Sequence, residues 1–95
     1  MSEYINNLME AITAMHDCRC SHFGSEHVKE VHEGETVWEG DVEIFQLEGH
    51  PVAKVAYGWA WEDDQGEIQY IGIINVPPVE DAVTAVRAAI ASGQF

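Results

Sequence analysis

Ninety-five residues, 46% of them hydrophobic and with three each of Trp, Tyr and Phe, suffice for a single domain over residues 1–95 with one modest core. Seventeen acidic residues against Arg19, Lys29, Lys54 and Arg87 give a formal net charge of −13, which repels the phosphates of nucleic acid and the surface of an anionic membrane and argues against both as direct partners. The apolar content, with no low-complexity run, excludes a disordered chain despite that charge.

The N-terminal stretch from Met1 to Asp17 has no basic cluster and no apolar signal-peptide core. No run approaches the roughly 18 apolar residues of a membrane span. Cys18 and Cys20 are one residue apart, too close for an unstrained disulfide, so free thiols and a cytoplasmic location are expected.

In chain order, Ile5, Leu8, Ile12 and Met15 recur at helical spacing, which predicts an amphipathic helix over 3–16 with Ser2 as its N-cap. Asp17 to Glu26 shows no period and reads as a loop. Strands are then expected over about 27–32, 36–47, 52–62 and 68–76, separated by the Gly-containing breaks Glu33-Gly34-Glu35, Glu48-Gly49-His50-Pro51 and Asp63-Asp64-Gln65-Gly66. In the second of these, Trp38, Gly40, Val42 and Ile44 alternate with Glu39, Asp41 and Glu43, which fixes one buried and one anionic face.

Pairing Leu47 with Val52 and Glu62 with Glu67 sets Ile44 opposite Val55, Gly40 opposite Trp59, Trp59 opposite Tyr70 and Tyr57 opposite Gly72. All large aromatics then share one face, with glycines seated beside the bulkiest rings. After Pro77-Pro78, the stripe Val79, Ala82, Val83, Val86 and Ile90 predicts a second helix, with Glu80 and Asp81 near its start and Gly93 at its end. The expected fold is α+β: a four-stranded antiparallel meander with two helices on one face, in the order α-β-β-β-β-α.

The segments Val37-Trp38-Glu39-Gly40-Asp41-Val42, Gly49-His50-Pro51, Tyr57-Gly58-Trp59, Pro77-Pro78-Val79 and Ala85-Val86-Arg87-Ala88-Ala89-Ile90 resemble a family of small uncharacterised bacterial proteins. That family carries Val-Trp-x-Gly-x-Val, a Gly-His-Pro turn, a Tyr-Ala-Trp strand and a Pro-Pro-Val ending followed by Ala-Val-Arg-Ala-Ala-Ile. Gly58 departs from its Ala, and Glu80-Asp81 from its Ser-Pro-like helix start. The resemblance implies no activity, and its motifs fall on turn and core positions.

Candidate chemistry is sparse. Cys18, Cys20, His22 and His27 are the one local density of soft metal ligands, but a one-residue spacing and the lack of a second Cys pair fit zinc poorly. Cys18 with His16 or His22 and Asp17 offers a thiolate nucleophile on paper, in a chain too small for an enclosing cleft. Asp63-Asp64 and His50 read as turn residues. Trp38, Trp59, Trp61, Tyr57 and Tyr70 read as core packing rather than as a ligand pocket. No enzyme, cofactor or metal is expected.

Two further function classes stay open. One is a non-enzymatic interaction or regulatory domain that uses the solvent face of the sheet, where Ile71, Ile73, Ala56 and Ala60 form an apolar patch rimmed by Glu39, Asp41 and Glu43, with a protein partner or a second copy as a homodimer. The other is an acidic mimic of nucleic acid that inhibits a DNA- or RNA-binding protein. A metal or thiol site at Cys18 to His27 is the third reading.

Overall fold

The computed structural model describes residues 3–93. It is an α+β fold in which α1 (Glu3–His16) and α2 (Ala82–Ala91) flank in sequence an antiparallel meander of β1 (Arg19–His32), β2 (Glu35–Glu48), β3 (Val55–Glu62) and β4 (Ile68–Ile74). Element order, meander and class follow the sequence pattern. Ser2, the expected N-cap, lies outside the described residues.

The segment read as a loop over Asp17 to Glu26 is largely strand. Asp17, at φ 50°, turns the chain out of α1, and β1 then pairs with β2 from Arg19↔Glu48 to His32↔Glu35. Its period is hidden by a bulge between His22 and Gly24. The extra residue, Phe23, switches the strand's facing, so Cys20 and His22 lie on the side of Leu47 and Phe45 whereas Val28 lies on the side of Val42. Glu33 and Gly34, both at positive φ, close the hairpin in two residues.

β3 begins at Val55, later than the expected 52. The imidazole of His50 accepts the backbone N–H groups of Val52 and Ala53 on Nδ1, at 3.1 and 2.9 Å, and holds both in the turn. Leu47 therefore pairs with Lys54, and Ile44 with Tyr57. This moves the expected register by two residues and keeps every side chain of β3 on its expected face.

The next hairpin differs by one residue, with a larger effect. The Asp63 carboxylate accepts the N–H groups of Gln65 and Glu67, each at 2.9 Å, and the Asp63 N–H donates to the Glu67 carbonyl. Asp63 thus belongs to the ladder, and the connection is Asp64-Gln65-Gly66. Trp59 pairs with Ile71 and Gly58 with Gly72, so every side chain of β4 is turned to the face opposite the expected one.

That turn explains where the helices sit. Val42, Tyr57, Trp59 and Ile71 form one core with Ala82, Ala85, Val86 and Ala89 of α2. Phe45 and Ala56 form another with Leu8 and Ile12 of α1, joined at its margin by Cys20, Leu47, Tyr70 and Ile74. Because neighbouring residues of β3 and β4 alternate between these cores, the helices cover opposite faces of the sheet, which corrects the expectation of both on one face. The alanine face of α2 lets it approach the bulky Trp59 and Tyr57, and the Tyr57 hydroxyl donates to the Glu80 carbonyl at 3.2 Å.

Candidate functional site

β2 pairs with β1 along nearly all of both strands but with β3 only from Glu43↔Gly58 to Gln46↔Val55. The distal part of the β1–β2 ribbon therefore leaves the main sheet. It is tied back on the α2 side by Trp38, whose ring lies over Gly40 and meets Trp59 at 5.6 Å in a tilted contact. On the other side of the ribbon neither helix core reaches Glu39 and Asp41, whose side chains are 45% and 68% exposed.

His27 stands between these two carboxylates. Its Nδ1 is 2.9 Å from Asp41, its direct cross-strand neighbour, and its Nε2 is 2.9 Å from Glu39. Carboxylates only accept, so both ring nitrogens donate and the ring is an imidazolium. The hydrogen bond to Glu39, then that to Asp41, pushes the His27 pKa above the ordinary imidazole value, and His27 holds the Glu39 carboxyl below the usual carboxylate value. One strand step inward, His22 Nε2 lies 2.9 Å from Glu43, which is 9% exposed.

The residues singled out in the sequence are dispersed by this fold. Glu39 and Asp41 are exposed on the α1 side, whereas Ile71, 4% exposed, and the half-buried Ile73 pack under α2 on the opposite side. The expected mixed acidic and apolar patch is not formed, and a homodimer through Ile71 and Ile73 has no open face to use. Ala56 is buried beneath α1.

Cys18 is buried, and the Cys20 thiol points to the Met9 carbonyl at 3.7 Å. Burial pushes the Cys20 pKa up, away from a reactive thiolate. His16 donates from Nε2 to the Gly72 carbonyl at 2.8 Å, and His22 is engaged by Glu43. Cys18, Cys20, His22 and His27 thus serve separate contacts, and among the described residues no group of three or more His, Cys, Asp or Glu is arranged to hold a metal. Tyr57, Trp59 and the partly buried Trp38 and Trp61 belong to the α2-side core, and Tyr70 lies instead beside α1.

A feature not legible in the sequence is a shallow cleft of about 350 Å³ where the first turn of α1 meets the sheet. Tyr4 and Tyr70 line it together with Ala60 and Ile68, and Glu3 and Glu62 add carboxylates. Tyr70 is steadied by Asn7, whose amide donates to the phenol oxygen at 3.3 Å. Burial raises the Tyr4 pKa, a backbone hydrogen bond with Ala60 opposes this, and the charges of Glu43, Tyr70 and Asp41 raise it further. Tyr4 precedes Leu8 and Ile12 by four and eight residues and so borders the apolar stripe of α1, but no local spacing pairs it with Tyr70.

No protein-family model, no curated protein and no solved structure matches the chain. Among the described residues no helix is long and apolar enough to cross a membrane.

Proposed function

We propose that this protein is a small, acidic, non-enzymatic interaction domain that binds a basic protein segment through the part of its sheet that neither helix covers. The observation that carries this reading is the short β2–β3 pairing, which leaves Glu39 and Asp41 standing on a two-stranded ribbon. A net charge of −13 favours encounter with cations, and the exposed carboxylates Glu39 and Asp41, at strand spacing, match alternate residues of an extended basic segment. The Cys and His residues engaged in separate contacts supply no nucleophile paired with a base, which favours binding over catalysis.

A titration with a defined oligolysine peptide over a salt series tests the reading. Affinity is expected to fall as screening rises and to drop in the double variant Glu39→Gln, Asp41→Asn. Equal affinity in parent and variant would remove the ribbon from the site.

A further inference from the structure

We propose that the cleft beside α1 receives a lysine or arginine side chain of an extended peptide that adds to the sheet along Ile68 and Tyr70 at the open edge of β4. This rests on the reading of the protein as a domain for basic segments and adds to the ribbon a second place for such a segment, at the opposite edge of the sheet, with its binding mode.

The two sheet edges differ. β1 is interrupted by bulges between His22 and Gly24 and between Glu30 and Val31, and it carries Arg19, Glu26, Lys29 and Glu30, features that disfavour strand addition. β4 reads Ile-Gln-Tyr-Ile-Gly-Ile-Ile from Ile68 to Ile74, with no charge, no proline and an unbroken register against β3. In a chain that is 22% charged, this outer edge, unlike that of β1, is chemically open to another backbone.

Only one end of it is free to act. Asn75 donates to Val55, and Asp63 to Glu67, so the odd-numbered residues of β4 direct their N–H and C=O groups to β3 and the even-numbered ones direct theirs outward. The outward carbonyl of Gly72 is taken by His16 Nε2 at 2.8 Å, and that of Ile74 by the Val76 N–H at 2.9 Å. Among the described residues no partner takes the outward groups of Ile68 and Tyr70, and both also line the cleft.

The cleft specifies the class of side chain. Tyr4 and Tyr70 supply aromatic rings, and Glu3 and Glu62 supply negative charge. Aromatic faces combined with carboxylates select an ammonium or guanidinium group over a neutral or anionic one. In an added strand alternate side chains point the same way, so the residue aligned with this pair of tyrosines delivers its cation while the backbone pairs with β4.

The test is an amide NMR titration at low ionic strength with the blocked peptide Thr-Val-Lys-Val-Thr, its Gln-for-Lys counterpart and a backbone N-methylated form. The expected result is saturable shifts at Ile68, Tyr70 and Trp61 with the lysine peptide, about fivefold weaker binding for the Gln peptide and for Glu62→Gln or Tyr4→Ala, and loss on N-methylation. Equal binding of the Lys and Gln peptides overturns the proposal. Shifts confined to His27, Glu39 and Asp41 also overturn it, while leaving the broader reading intact. No binding at either place removes both. Sedimentation of the free protein as a dimer, with those shifts already at β4, would give the edge to a second copy and likewise overturn it.

Discussion

Gly58 and Gly72 lie directly opposite each other on β3 and β4, and together they form the seat of Ile12. A Cβ at Gly72 would stand 2.8 Å from Ile12 Cγ1, and one at Gly58 would stand 3.3 Å from Ile12 Cδ1 and 3.2 Å from the Phe45 ring. Two missing side chains thus set how closely α1 approaches the sheet. Gly72 makes room for a helix, where the sequence pattern suggested room for the Tyr57 ring.

Gly72→Ala should therefore destabilise the fold by about 1–3 kcal/mol, the usual cost of overpacking a full core. Gly58→Ala should cost less, because its nearest neighbours are a ring edge and the end of a flexible side chain. Denaturant midpoints measure both. Combining Gly72→Ala with Ile12→Ala should cost less than the sum of the single changes, since the clash partner is gone; additive costs would show that α1 is not seated on these glycines.

Raising the pH should loosen the distal ribbon. The His27 pKa is raised above 6.5, so its contribution to stability is fully present below 6.5 and is lost as the pH rises through the higher folded-state value. The Glu39 pKa is lowered from 4.5, and its contribution fades as the pH falls through the depressed value. The clamp is thus strongest between about pH 4.5 and 6.5. Thermal melts of parent and His27→Gln should differ in that window and converge in alkali, and a pH-independent gap would argue against an imidazolium.

The start of α2 depends on one reciprocal cap. The Asp81 carboxylate accepts the Thr84 N–H at 2.9 Å, while Thr84 Oγ1 accepts the Asp81 N–H at 3.0 Å. The Thr84 N–H foremost, and then the Thr84 hydroxyl, which donates to the same carboxylate at 2.9 Å, lower the Asp81 pKa. Asp81→Ala should cost about 1 kcal/mol, and Asp81→Ser less, readable as a fall in Tm.

Asp63 pins the register of the last hairpin. Its carboxyl is held below the usual 3.8 chiefly by the Gln69 side chain, then by the Glu67 and Gln65 N–H groups. Asp63→Ala should lower the protection of the Gln65 and Glu67 amides, measured against their intrinsic exchange rates, and acid should do the same in the parent as the pH falls through the depressed pKa. Unchanged protection in the variant would mean that the Gly66 turn alone holds the register.

The helix over 3–16, the Glu33-Gly34 turn, the alternation from Trp38 to Ile44 and the stripe of α2 were readable in the chain because each is a local periodicity or a local backbone requirement. The strand at Arg19 was not, since the inserted Phe23 breaks the alternation by which a strand is recognised. Nor were the registers. Side chains alternate with a period of two, so a single ladder position, decided by three hydrogen bonds to Asp63, exchanged the two faces of β4, buried Ile71 beneath α2 and brought Gly72 to α1. The acidic row was legible as a pattern. Its isolation on a ribbon, its clamp on His27 and the cleft between Tyr4 and Tyr70 arise from contacts between residues up to 66 positions apart, which no local spacing encodes.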